Sequence, residues 1–260
     1  METSEKKDLT TPVQTGVVAT FGEGEVTGFE GAKSSDMVAP FLRILQKMSP
    51  QCDPDKDEYM EAAKPGLFFQ ADTKEITDKV TLIPCVYRPS MIERKLKADG
   101  KVDLNTFVAE HPVGSEVGLP RAEGGHFLLP NGNCLDDTRT WFCLRILPNG
   151  DLVPVIVPMR STQIKVSKRL FTELHSYKAQ GKNGTFRPPM YVHIYNGTTV
   201  AEENEQGSWR SWSLDHVRVM EPGKDDLLFE QAKKAHAMFS EWASSSAKPL
   251  VEGAAEPAPF

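Results

Sequence analysis

The chain has 260 residues, of which 39% are hydrophobic and 25% charged, and its formal net charge is −6. These proportions are ordinary for a soluble globular protein, and the length allows one elaborated domain or two small ones. No apolar run approaches the roughly 20 residues of a membrane span, and the polar N-terminus has no secretory signal. We therefore expect a cytoplasmic protein with no membrane partner.

The four cysteines lie far apart and form no CxxC pair, and the six histidines match no metal-ligand spacing. The sequence also contains no GxSxG and no Walker loop. We therefore expect a non-catalytic protein with no metal and no cofactor.

The first part of the chain predicts one flexible segment and few regular elements. Residues 1–36 mix glycines with polar residues and sustain no apolar period, which is typical of a flexible segment. Residues 36–48 predict a short amphipathic helix or turn, and an acidic loop follows. Short apolar runs predict strands at 67–70 and, more strongly, at 80–88. Residues 89–137 form a polar insertion rich in glycine and proline.

The second part of the chain is more regular. Residues 139–147 and 151–159 predict a hairpin closed by Pro148-Asn149-Gly150. Helical spacing follows over 161–178, with Ser161 or Thr162 placed to cap the helix. The remaining elements are strands at 190–200 and 208–220, an acidic loop at 196–207, a helix at 225–242 and a low-complexity, disordered tail at 243–260.

This order, β-β-β-α-β-β, predicts an α+β fold: a five-stranded OB-fold-like β-barrel with a helix between strands 3 and 4 and an additional C-terminal helix. The OB-fold binds oligonucleotides on its strand 2–3 face and through its L12 and L45 loops. Residues 89–137 would then be a long L12 insertion, and 196–207 would be L45. The elements together form a single nucleic-acid-binding domain over 37–242.

Charge and aromatic residues concentrate in the third quarter of the chain. Residues 138–188 hold nine Lys/Arg against Asp151 and Glu173, a net of +7 in an acidic protein. A basic region of this kind indicates an anionic polymer as partner. Alternation along residues 139–147 places Trp141 between Arg139 and Arg145 on one face, and the apolar face must be core. Tyr191, His193 and Tyr195 likewise share one face of the strand at 190–200.

These side chains suit single-stranded DNA, because guanidinium groups contact phosphates while rings stack on unpaired bases. The alternative is that another layer of the protein covers the rings. At least one of Trp209 and Trp212 is expected in the core, and the helix cations could flank the groove or form its solvated side. The predicted nucleic-acid-binding residues are Arg139, Trp141, Arg145, Lys165, Lys168, Arg169, Tyr191, His193, Tyr195, Trp209, Arg210 and Trp212.

The segment PFLRILQKMSP at residues 40–50, followed by VTLIPCVYR at 80–88, resembles a group of bacteriophage-encoded single-stranded DNA-binding proteins. The resemblance covers roughly residues 36–220. It implies a role in phage DNA replication or recombination in the host cytoplasm. It also implies an acidic tail that recruits replication or recombination proteins through a terminal Pro259-Phe260. This tail is only weakly acidic.

We therefore predict a sequence-tolerant single-stranded DNA-binding protein that acts by aromatic stacking and phosphate neutralisation. The alternative is a protein-interaction module, such as a phage inhibitor of a host enzyme or a virion component, that uses the same exposed aromatics as hot spots. The sequence leaves open whether copies of the chain form a homo-oligomer.

Overall fold

The structure is a computed structural model that describes residues 40–104, 106–122, 124–205 and 207–244. The predicted flexible segment 1–36 and the terminal Pro259-Phe260 lie outside the described residues. Of the predicted tail, Ala243 and Ser244 belong to the last helix, and the rest lies outside the described residues.

The described residues form an α+β fold. Its helices are α1 (Ile164–Ser176) and α2 (Asp226–Ser244). Its strands are β1 (Leu42–Ile44), β2 (Phe68–Gln70), β3 (Ile76–Thr77), β4 (Val80–Arg94), β5 (Ala109–His111), β6 (Phe127–Leu128), β7 (Cys134–Ile146), β8 (Leu152–Arg160), β9 (Ala179–Gly181), β10 (Gly184–Phe186), β11 (His193–Asn204) and β12 (Gly207–Val219). Neither helix of the described part is long and apolar enough to cross a membrane.

The main sheet is antiparallel, and its five long strands lie in the order β12-β11-β4-β7-β8. After α1 the chain returns to place β11 beside β4, so that β11-β4-β7-β8 has Greek-key order. Strands β5 and β6 extend one end of the sheet. Within the described ranges β8 and β12 are not paired with each other, and the sheet does not close into a barrel.

Residues 40–46 connect the two outer strands of this sheet. Phe41 forms a parallel bridge with Ile156 of β8, and the Ile156 N–H donates to the Pro40 carbonyl at 2.9 Å. The side-chain amide of Gln46 bonds both main-chain groups of Arg210 in β12, each at 2.8 Å. Leu42–Ile44 form β1, so the helix or turn predicted for 36–48 is wrong at these residues. Pairing with β2 satisfies the main-chain hydrogen bonds of this short segment.

Both faces of the central part of the main sheet, around β7, are buried. Trp141, Cys143 and their neighbours pack beneath α1 and the small β1–β3 sheet. Phe142 and Leu144, on the opposite face of β7, pack beneath α2. The rings of Phe142 and Phe239 lie 5.7 Å apart. A strand with both faces covered loses the amphipathic contrast that would mark one face as solvent-exposed.

The predicted elements are present with altered ends. The helix predicted at 161–178 is α1, preceded by a single 3-10 turn, and no side-chain cap bond forms at its start. The C-terminal helix is α2. Strands β4 and β7 run further into the predicted L12 insertion than expected. The loop predicted at 196–207 is wrong, because β11 and β12 continue as one long hairpin.

Buried polar groups fix the insertion to the far ends of β4 and β7. Glu93 accepts hydrogen bonds from Asn131 at 2.9 Å and Asn133 at 2.6 Å, and its carboxylate lies 2.8 Å from His111. Arg94, 1% exposed, donates to the main-chain carbonyls of Leu104 and Thr106. A buried charge that is bonded in this way is strongly destabilising when one partner is removed. We infer that the insertion is an integral part of the domain.

His193 gives the stability of the fold a pH dependence. The side chain is 1% exposed, its Nδ1 lies 3.1 Å from Nε2 of His216, and Tyr177 packs edge-on against its ring. Burial, followed by the nearby His216, lowers the pKa of His193 from 6.5 to about 4. Between these values the unfolded chain binds a proton that the folded chain does not. Acid therefore favours unfolding.

We expect the free energy of unfolding to be unaffected by His193 above pH 6.5 and to fall by up to about 3 kcal/mol between pH 6.5 and 4. Urea denaturation at a series of pH values measures this loss. The slope of the unfolding free energy against pH should become flatter in His193→Gln but not in the control variant His175→Gln, which changes an exposed histidine. Equal slopes in the two variants would remove His193 as the cause.

Candidate nucleic-acid interface

The structure buries the aromatic residues that were predicted to face solvent. Trp141, His193, Tyr195 and Trp212 are each at most 2% exposed. Alternation correctly places Trp141 and Tyr195 in one core cluster and Phe142 and Ile194 in the other. The predicted grouping of Tyr191 with His193 and Tyr195 is wrong, because Met190–Val192 form a 3-10 turn and Tyr191 packs against the second cluster. Their predicted exposure is wrong, because helix α1 and the β1–β3 sheet cover the face that carries Trp141. Such rings cannot stack on a base without unfolding the core.

Trp141 is held by α1. Its Nε1–H donates to the Ser167 hydroxyl at 2.8 Å, and the ring lies 4.6 Å from that of Tyr87. Trp212 packs in the same core, with its ring 4.5 Å from that of Phe68 in β2. The expectation that at least one of Trp209 and Trp212 is core is thus confirmed.

The two arginines that flank Trp141 are paired with acidic side chains. Arg145 is 3% exposed and forms a two-pronged ion pair with Glu75, with N–O distances of 2.5 and 2.9 Å, and a further bond to Gln70. The Nε of Arg139 lies 2.8 Å from the carboxylate of Asp137. Arg145 is thus a structural residue that ties the small sheet to β7, and the prediction that it faces ligand is wrong.

The other predicted residues, Tyr191, Trp209 and Arg210, are half-buried and contact other parts of the protein. Tyr191 packs against Phe229 and His236 of α2, with ring centroids 5.9 and 5.1 Å apart. The Nε1–H of Trp209 donates to Glu202 at 3.1 Å. Arg210 contributes its main chain to Gln46 and lies near Gly66. Tyr191, Trp209 and Arg210 therefore do not form a solvent-exposed cluster with Trp141 and Arg145.

The predicted helix cations are exposed on α1. Lys165 forms an ion pair with Glu202 at 2.7 Å, which neutralises one acid of the β11–β12 hairpin. Lys168 and Arg169 have no ion pair within the part of the chain that the structure describes. Leu170 and Leu174, on the opposite side of α1, are buried in the core and fix the orientation of the helix. Lys168 and Arg169 are thus free to contact an anion.

A two-stranded ribbon follows α1 in the chain and carries further exposed cations. Strands β9 and β10 pair only with each other among the described strands, and Lys178, Lys182 and Arg187 lie in or beside them, all exposed and without ion pairs in the described ranges. Three exposed rings accompany them: Phe171 on α1, Tyr177 between α1 and β9, and Phe186 in β10. We name this set the α1–ribbon surface; its members are Lys168, Arg169, Phe171, Tyr177, Lys178, Lys182, Phe186 and Arg187.

Residues at the two ends of the ribbon anchor it to the rest of the domain. Tyr177 ends α1 in an extended conformation and packs against the buried His193. Gly184 has a φ of +111°, which other residues rarely adopt, and this allows the tight turn at the tip. Pro188, just beyond Arg187, is buried. An isolated hairpin is marginally stable in water, so anchoring at both ends stabilises it.

Charge on this segment is strongly one-sided. Residues 164–188 contain six Lys/Arg and a single acidic residue, Glu173, for a net of +5. Glu173 lies against Tyr195, where burial and this carboxylate raise the pKa of the tyrosine. Lys178, Lys182 and Arg187 belong to the basic region of the sequence but were not among the predicted binding residues, and neither were Phe171, Tyr177 and Phe186. The sequence does contain a signal for these residues, because aromatic and basic residues are interspersed through 171–187. Strand alternation does not detect this signal, since most of the segment is not in a long strand.

The exposed cations and rings of the α1–ribbon surface suit binding of a polyanion. Among the described residues there is no group of three or more His, Cys, Asp or Glu side chains that could hold a metal ion. Exposed cations can neutralise phosphates, and exposed rings can contact bases.

Because Trp141 is buried, its substitution should destabilise the fold. Trp141→Ala should lower the free energy of unfolding by about 3–5 kcal/mol, because it opens a cavity and removes the bond to Ser167. Urea denaturation followed by circular dichroism measures the loss. The half-buried Trp209→Ala is the matched control and should lose less. Equal, small losses in the two variants would contradict the buried position of Trp141.

Comparisons with known proteins give one match. Residues 10–244 match the family model described as Pam3 phage gp34-like protein. Neither the curated proteins nor the solved structures contain a match to the chain. The family match indicates a phage protein, as the sequence resemblance predicted.

Proposed function

We propose that this chain, which belongs to the Pam3 phage gp34-like protein family, is a non-catalytic phage protein that binds single-stranded DNA with little sequence preference during replication or recombination. The observation that carries the proposal is the α1–ribbon surface. It gathers five cations without ion pairs in the described ranges and three exposed rings, in a chain of net charge −6.

The cation arrangement supports a ligand with repeated negative charge. An acidic protein repels nucleic acid at long range, so binding requires a local surface of opposite sign. On α1 the Lys165–Glu202 pair removes one acid that would otherwise lie near the phosphates. A protein that neutralises several phosphates releases their counterions, and its affinity falls steeply with salt.

The strand order supports an OB-like relationship at the level of topology. The five long strands share the Greek-key connection of the OB-fold, and α1 lies between the third and fourth of them, as in the predicted element order. The usual ligand face of that fold, on strands 2 and 3, corresponds here to β7 and β8. Both faces of β7 are covered by protein. We therefore place binding on the helix and ribbon that follow β8.

Neutralising two ribbon cations should weaken binding and reduce its salt dependence. We expect Lys182→Gln/Arg187→Gln to lower the slope of log affinity against log salt by about 1.4, since each lost phosphate contact on a single strand is worth about 0.7. Fluorescence anisotropy of a labelled dT oligonucleotide measures this slope. Anisotropy is preferable to tryptophan emission, because Trp141 and Trp212 are buried.

The matched control is Lys233→Gln/Lys234→Gln, which removes the same charge from exposed positions on α2. The control should retain the wild-type slope. Equal effects of the two double variants would contradict a localised site. No dT binding by the wild-type chain at low salt would favour the protein-interaction alternative.

A further inference from the structure

We infer that Phe186, seated on Gly181 in the ribbon, stacks on an unpaired base and gives the protein its preference for single strands over duplex. The inference rests on the proposed function and deepens it. The cations of the α1–ribbon surface can contact the phosphates of either form of DNA, but an exposed ring stacks only where a base face is free.

The geometry of the ribbon seats the Phe186 ring. Gly181 pairs with Gly184, and Phe186 pairs with Ala179, so Phe186 and Gly181 are diagonal neighbours across the ribbon. A methyl group at Gly181 would lie 3.0 Å from Cδ1 and 3.1 Å from Cε1 of the Phe186 ring. The ring therefore lies directly on the main chain of Gly181, and a side chain at this position would shift the ring by a few tenths of an ångström.

This seat orders the ring while leaving it accessible. Aromatic side chains reach diagonal neighbours in an antiparallel pair, and an aromatic that covers a glycine stabilises the strand. Phe186 nevertheless remains 51% exposed. A ring already held by the protein loses little conformational freedom when a base stacks on it, which favours binding.

The other rings of the surface have aromatic partners within the protein. Phe171 stacks on His175, with centroids 5.7 Å apart and planes at 19°, and also contacts Tyr87. Tyr177 packs edge-on against His193. No aromatic contact within the described part of the chain involves Phe186. Phe186 is also the most exposed of the three rings, with 51% against 41% for Phe171 and 36% for Tyr177.

The basic residues beside Phe186 fit the same ligand. Arg187 follows it directly, and Lys182 lies at the tip of the ribbon; both are exposed. A stacked base carries its own phosphates on either side, so cations near the ring can contact the backbone of the same nucleotide. The ribbon thus offers a ring for one base and charges for the neighbouring phosphates.

The test compares three ligands of equal length by anisotropy at one salt concentration: a dT oligonucleotide, a base-free deoxyribose phosphate chain and a duplex. Phe186→Ala should weaken dT binding about 5- to 140-fold, the range expected for one lost stack, and should leave binding of the other two ligands unchanged. Its salt slope should match that of the wild-type chain, because no phosphate contact is lost.

Two further variants test whether binding depends on the position of the Phe186 ring as well as on its presence. Gly181→Ala keeps Phe186 but displaces its ring, and it should also weaken dT binding selectively; Gly181 has no left-handed backbone angle that would strain alanine. Phe186→Trp should retain affinity, and its added emission should be quenched by dT but not by the base-free chain. Circular dichroism of each variant checks that the fold is intact.

Wild-type affinity for dT in both Phe186→Ala and Gly181→Ala would overturn the inference. Equal weakening of all three ligands would also overturn it, since that result indicates general damage to the ribbon. If the Lys182/Arg187 double variant still shows its reduced salt slope in either case, the proposed function stands and only the stacking residue is rejected. No binding of any ligand by the wild-type chain rejects both.

Discussion

The central constraint on this molecule is that the middle of one antiparallel sheet is buried on both faces. Residues on one side of β7 pack beneath α1 and the β1–β3 sheet, and those on the other side pack beneath α2. Each large ring on β7 then contributes to the core, since removing apolar area from water is the main favourable term in folding. The same burial denies these rings to any ligand.

Burial on both faces also explains the buried charges. Arg145 would be strongly unfavourable inside the core without its bonds to Glu75 and Gln70, and these bonds connect the β1–β3 sheet to β7. At the far end, Glu93 and Arg94 bond the residues of the insertion. Polar residues of the predicted strands thus hold layers of the protein together, and the exposed cations of residues 164–188 lie on α1 and the ribbon.

Sequence patterns predicted local structure well and solvent exposure poorly. Alternation in β7 correctly separated Trp141 from Phe142, and helical spacing found α1 and α2 within a few residues. A buried strand can, however, have one apolar face and one face that mixes apolar and polar residues. In sequence, such a strand resembles one with a solvent-exposed face. The mixed face of β7 contains Arg145, whose charge is satisfied by Glu75, a residue 70 positions earlier in the chain. No local pattern reveals such a distant partner.

The sequence by itself determined the α+β element order, the positions of the main helices and strands, and the concentration of positive charge in the third quarter. These depend on the side chain's own propensity, its spacing and its formal charge. The tertiary structure alone decided which rings are covered and which cations keep no partner. Burial of Trp141 and exposure of Phe186 follow from where α1, the small sheet and the ribbon lie, because solvent access depends on contacts between segments far apart in the chain.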